Sequence, residues 1–292
     1  MDYILHIGAH RTGTTAMQQS FVRHQARLRQ AGIAFWGPDV MRSAGLKDFV
    51  SNHVAGQAPY IGLANARAAL ALHVRTAHGC EKVVISDENL AGAMRVNYAE
   101  AELYPDALVR LSAVAELLPA RPSAIYITTR DFAGYWRSVH AHLALHGVVR
   151  SSIDSTRLAA SEGNSWLPFL RAVRSVFAET PINVMRYDSG IVGRLGAAML
   201  GHDLTADMKA GTAGNASLGP EALADVAAIP PGPARMARIA EHRKSAIPLD
   251  NPFSAAETAR LDAAYEADWA ALRNGEIAGV TAEREFAAEG AE

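Results

Sequence analysis

The chain has 292 residues, enough for one sizeable α/β domain and near the upper limit for a single core. Its 49% apolar and 20% charged residues exclude a disordered polyelectrolyte. A net charge of −2 excludes a global basic field for nucleic acid, so any polyanion must meet a local patch.

In chain order, Tyr3 to Ile7 is a short apolar run that reads as a buried strand. It passes through Gly8-Ala9-His10-Arg11-Thr12-Gly13-Thr14-Thr15 into a helical pattern with Met17, Phe21 and Leu28 on one face and Gly32 as its stop. Strand, glycine-bracketed turn and helix is how a backbone wraps a phosphate: the glycines allow close approach, and the first amides of the helix point at the anion. Thr14 and Thr15 stand where hydroxyls can add donors. Residues 33–36 form a short strand ended by Gly37-Pro38, and residues 48–59, carrying His53, read as loop or broken helix. A helix is expected over 61–78, with Leu63, Leu70 and Val74 on one face. Cys80, the only cysteine, permits no intrachain disulfide and is expected to be a packed thiol.

Lys82 to Ile85 is a second buried strand that stops in Ser86-Asp87-Glu88-Asn89, at the carboxyl edge where open α/β sheets bind ligands. A helix over 105–118 follows, then a strand over 124–128 ending in Thr129-Arg130-Asp131 and a helix over 133–146. Residues 148–164 read as a polar linker or lid. Trp166, Leu170, Val173 and Phe177 mark a further helix, and a strand over 182–185 precedes a helix over 190–200. This alternation implies a parallel β-sheet flanked by helices on both faces. Beyond Gly201 the order changes: 205–217 is small and polar, 219–229 helical, Pro230-Pro231-Gly232-Pro233 a hard break, and 254–273 an amphipathic helix. One domain is expected over 1–292, with an α/β core (1–200), a helical C-terminal cap (201–275) and a frayed acidic tail (276–292). No charged leader or apolar h-region precedes the first strand, and no apolar run nears the ~20 residues of a membrane span, so a cytoplasmic location and no transmembrane segment are expected.

The loop spacing is G-x4-G, as in the nucleoside-triphosphate P-loop, but Thr14 stands where that loop has its lysine, and the loop's positive charge is Arg11. The run HIGAHRTGTT resembles the 5′-phosphosulfate loop of sulfotransferases that use 3′-phosphoadenosine 5′-phosphosulfate (PAPS), especially the bacterial carbohydrate-type members. The resemblance implies that Gly8, His10, Arg11, Thr12, Gly13, Thr14 and Thr15 bind the 5′-phosphate and sulfuryl group. The family usually has lysine at Arg11; arginine keeps the charge but hardly gives up a proton. Arg130 at a strand end and Ser138 in the next helix resemble the family's 3′-phosphate site, and a guanidinium fork with a neutral hydroxyl suits a phosphate. The glycine-bearing C-terminal 3′-phosphate motif of the cytosolic small-molecule members is not visible here.

Sulfuryl transfer to an acceptor hydroxyl or amine builds charge on the leaving oxygen, which Arg11 and the loop amides can stabilise. It also removes a proton from the acceptor. Glu88, in a segment similar to the family's S-x-E, is the first candidate base, followed by His53 and His10. No metal is required. The implied acceptor is a glycan, glycolipid or other small hydroxyl compound, and the implied product 3′,5′-bisphosphoadenosine (PAP). Asn215 and Ser217 resemble a recurring N-x-S-L segment, and Arg235, Arg238, His242, Arg243 and Lys244 form a basic cluster that reads as a solvated helix face or a contact for an anion. Two other readings stand beside this one. In a P-loop phosphotransferase or NTPase, VVISDE would be a metal-binding strand, with Asp87 for Mg²⁺ and Glu88 for water. The other is a nucleotide-binding module without catalysis.

Overall fold

The computed structural model describes residues 1–42, 49–50, 60–205, 208, 218–244 and 251–283. It is an α/β fold built on one six-stranded parallel sheet, with strands β1 (Asp2–His6), β2 (Ile33–Trp36), β3 (Lys82–Ser86), β4 (Ala124–Thr129), β5 (Ile182–Arg186) and β6 (Val280–Ala282) in the order β2-β3-β1-β4-β5-β6. In register, Leu5 lies beside Ile85 on one flank and Ile125 on the other.

The strand segments are nearly all apolar because both faces are covered. Side chains alternate across the sheet. Leu5, Val83, Ile85, Ile125 and Ile127 enter the larger core with the helices Tyr60–Thr76, Ala107–Leu117, Phe132–Leu145, Leu167–Val176 and Ala255–Arg273. Ile4, Phe35, Val84 and Met185 enter the smaller one with the helices Thr14–Arg23, Gln25–Gln30 and Ile191–Leu200. The β1–β2 crossover moves one way along the sheet and the later ones the other way. A single handedness therefore requires the helices after β1 on one face and those after β2, β3 and β4 on the other, as found.

Three segments differ from the sequence reading. Val280–Ala282, expected in a frayed tail, is the sixth strand: Ile182 pairs with Val280, Ile277 is buried, and Glu283 forms an ion pair with Arg194 at 2.8 Å. Residues 148–164 are no open lid. They include the helix Ser155–Ala160 with Leu158 and Ala159 buried, and Asn164 accepts from Trp136 Nε1 at 2.6 Å while donating to the Leu158 carbonyl. The amphipathic helix Ala255–Arg273 enters the main core through Leu261, Tyr265, Trp269 and Leu272 rather than capping it, and starts at a reciprocal Ser254/Glu257 capping box.

The helices Pro220–Ala227 and Pro233–Lys244 form a third apolar cluster on the end of Phe132–Leu145, through Leu223, Val226 and Ile239 against Ala141, Ala144 and Leu145. Cys80 is buried, as expected. No helix among the described residues is long and apolar enough to cross a membrane.

Candidate active site

β1 lies between β3 and β4, and the chain leaves β1 and β3 in opposite directions along the sheet, so a crevice opens beyond their carboxyl ends. Three segments meet there: the glycine-bracketed loop after β1, Asp87-Glu88-Asn89 after β3, and Arg130-Asp131 after β4. The loop is fastened to β4 by Ala9 N–H donating to the Thr128 carbonyl at 3.2 Å, and closed on itself by Thr12 Oγ1 donating to the Ala9 carbonyl at 2.6 Å. Gly8 passes so near β1 that a Cβ there would stand 2.4 Å from His6 Nε2. Arg11 (φ 65°) and Gly13 (φ 81°) occupy the left-handed region that turns the chain into the helix Thr14–Arg23. Gly13 is the residue before that helix and has no side chain to cap it, so the first-turn amides are available to an anion. Thr12 and Thr14 are buried behind the loop with their hydroxyls near the Ala9 carbonyl, whereas Thr15 is half-buried.

The two stretches singled out in the sequence touch. Arg11 Nε donates to Ser138 Oγ at 2.9 Å, and Arg130 Nη1 donates to the Arg11 carbonyl at 2.8 Å. Arg130 lies 4.5 Å over the Tyr187 ring, its own carbonyl accepts from Trp166 Nε1 at 3.0 Å, and its buried Nε, without a hydrogen-bond partner among the described residues, is 3.9 Å from Asp131 Oδ2. Burial, with Arg130 and Arg243 adding repulsion, pushes the Arg11 guanidinium down to about 10.

Arg243 belongs to the basic cluster, whose members part company. Arg235 is buried and donates to the carbonyls of Ala227 and Ile229, and Arg238 and His242 share Asp225. Arg243 adds to the repulsion on Arg11. Tyr135 and Trp136 are fully buried core rings.

Glu88 is held from both sides. Gln18, one turn into the loop helix, donates to Glu88 Oε2 at 3.2 Å and to the Ser86 carbonyl, while Asn89 Nδ2 lies 3.4 Å from Oε1. Asp87 is held more closely: both its oxygens meet the Arg42 guanidinium, at 2.9 and 3.2 Å, and Oδ1 also accepts from the Asn89 amide, while Arg42 Nη2 lies 3.6 Å from Glu88 Oε1. His10 is a structural link in the same network. The Tyr104 hydroxyl accepts the His10 backbone N–H at 2.8 Å and also meets His10 Nδ1 at 2.8 Å, while His10 Nε2 lies 3.4 Å from Asn89 Oδ1. Burial lowers the His10 pKa despite the Glu88 charge and holds the Tyr104 phenol well above its usual range, so both stay neutral.

Replacing Tyr104 with phenylalanine strands the buried His10 N–H and is expected to cost about 1–3 kcal/mol in urea unfolding. A change below about 0.5 kcal/mol would mean that the hydroxyl does not hold the loop.

Sequence reasoning misses Gln18 and Tyr104; it names Asn89 at the end of β3 and Arg243 in the basic cluster without a role particular to either. Gln18 sits at one-turn spacing from Thr14, a signal that was there to use, but nothing local marks Tyr104. His53, Asn215 and Ser217 lie outside the described residues. A cavity of about 710 Å³ lies away from this crevice, between β5, β6 and the helix Ile191–Leu200, and none of the predicted site residues lines it. No protein-family model matches the chain, and neither does any curated protein or solved structure.

Proposed function

We propose that the protein is a sulfotransferase that moves a sulfuryl group from PAPS to a hydroxyl or amine of a glycan, glycolipid or other small acceptor. The observation that carries this reading is the junction of Arg11, Ser138 and Arg130 beside an uncapped helix start, with Glu88 tethered to the same helix by Gln18. The residues fit a nucleotide phosphorylated at two positions. The loop and first-turn amides suit the 5′-phosphosulfate, and the largely buried Arg130 guanidinium, whose Nε lies 3.9 Å from Asp131 Oδ2, suits a second phosphate. PAPS supplies an activated sulfuryl group; the chain's own residues do the rest. Arg11 and the loop amides stabilise charge on the leaving oxygen, and Glu88 takes the acceptor's proton.

The NTPase reading needs Asp87 free for Mg²⁺, and its two oxygens are already engaged by Arg42 and Asn89. Titration of the protein with PAP and with ATP-Mg²⁺ by calorimetry separates the two. PAP is expected to bind without Mg²⁺, whereas Mg²⁺-dependent ATP binding with no PAP binding would reverse the choice. PAP binding without PAP formation from PAPS, across a glycan and lipid panel, would leave only a binding module.

A further inference from the structure

Ser86 closes β3, and its hydroxyl and carbonyl are both engaged inside the fold. Ser86 and His6 are register partners in the parallel pair of β3 and β1. Both are fully buried, and Ser86 Oγ lies 2.8 Å from His6 Nδ1. The His6 ring is packed against Gly8, and burial pushes its pKa down to about 4, so it enters this contact without charge near pH 7. From the helix Thr14–Arg23, Gln18 Nε2 reaches Ser86 Oγ at 3.1 Å, the Ser86 carbonyl at 3.2 Å and Glu88 Oε2 at 3.2 Å. A carbonyl only accepts, so the nitrogen end of the Gln18 amide must face Ser86, and its two hydrogens serve three oxygens. The backbone is extended at Asp87 (φ −152°, ψ 116°), so Ser86 and Glu88, two residues apart, come to the side of the chain where Gln18 meets both.

Resting on the sulfuryl-transfer reading above, we propose that Ser86 is a positioning residue for that reaction: held by His6, it fixes the Gln18 amide, which sets where Glu88 Oε2 stands relative to the anion loop. Gln18 lies one turn beyond Thr14, in the helix whose first-turn amides are available to an anion. The base and the bound sulfuryl donor are thereby referred to one helix, and transfer between two groups depends steeply on how they are placed. Ser86 also gives the serine–x–glutamate spacing a physical reason. The serine fills the end of the strand and turns the glutamine outward, and the glutamate two residues on receives it.

The test is a pair of double-mutant cycles, read by PAP formation from PAPS with a panel of glycan and lipid acceptors and by calorimetric PAP binding. Ser86→Ala is expected to lower kcat about fivefold and Gln18→Met about tenfold, with the KM for PAPS and the PAP affinity within about threefold. In a Glu88→Gln background neither substitution is expected to lower kcat further, because both act through the carboxylate. A merely structural role would cost the same factor in both backgrounds. Where Ser86→Ala does not fold, Ser86→Cys replaces it, since a thiol keeps the shape and bonds only weakly. Gln18→Met is read beside either, because it leaves the Ser86–His6 contact in place. Normal kcat in the folded Ser86 and Gln18 variants, or equal losses with and without Glu88, overturns the proposal and leaves the sulfotransferase reading standing. Wild-type protein that forms no PAP from PAPS overturns both.

Discussion

Replacing Glu88 with glutamine is expected to slow PAP formation from PAPS by about 10²–10⁴-fold while PAP affinity stays within about threefold. The substitution keeps size and shape and removes the group that can accept a proton. Gln18 can still donate to the remaining amide oxygen, so the tether to the loop helix survives. The amide nitrogen would face Arg42, whose Nη2 lies 3.6 Å from Glu88 Oε1, so a thermal unfolding curve is needed to show that the variant is intact. Near-normal turnover in a folded variant would remove Glu88 from the base role. Loss of PAP affinity together with turnover would make it a loop support instead. Asp87 is a poor substitute for the role, because it is only 2% exposed and its carboxylate is occupied by a guanidinium.

Arg130→Gln is expected to weaken PAP binding by at least 2 kcal/mol, about thirtyfold, because it removes a buried guanidinium from a phosphate. The informative comparison is with adenosine 5′-phosphate, which lacks the 3′-phosphate and whose affinity is expected to change little. Arg130 also holds the Arg11 carbonyl, so a second outcome is possible in physical terms. Equal losses for both nucleotides would show that Arg130 acts only by positioning the loop, and the assignment of a 3′-phosphate site to it would fall. Arg130→Lys is expected to behave nearer to glutamine than to arginine, since a point charge on a flexible stem cannot reproduce the planar fork that spans Arg11 and Tyr187.

Much of this site was legible before any coordinates. The strand, the glycine-bracketed turn and the helix after it are contiguous in the chain, so backbone rules alone predict an anion loop at residues 8–15. Arg130 and Glu88 could be placed on one edge of the sheet because each directly follows a strand, and strands of one parallel sheet end on one edge. Glu88 and its neighbour Asp87 were expected to point apart, yet Arg42 and Asn89 meet both carboxylates. What was not legible depends on contacts distant in the chain. Tyr104 is 94 residues from His10, and nothing in its own segment says that its hydroxyl braces the glycine-bracketed loop. Arg243 reads as one more charge on a basic helix until the cluster of Leu223, Val226 and Ile239 docks that helix region against the end of Phe132–Leu145. The basic cluster looked uniform in sequence, yet its members cap carbonyls, pair with Asp225 or act on Arg11 according to the face each presents.

By itself the chain determined what nearest neighbours can determine: the strand-forming runs, the helix-forming periods and the loop whose glycines and charge suit an anion. These follow from local sterics and from the alternation of apolar residues, which act over a few positions. Only the tertiary structure decided that Val280–Ala282 is a strand, since three residues with one large apolar side chain have no reason to extend until the open edge of β5 offers them hydrogen bonds. It likewise decided that Arg11, Ser138 and Arg130 form one connected group, because hydrogen bonds form through space and take no account of distance along the chain.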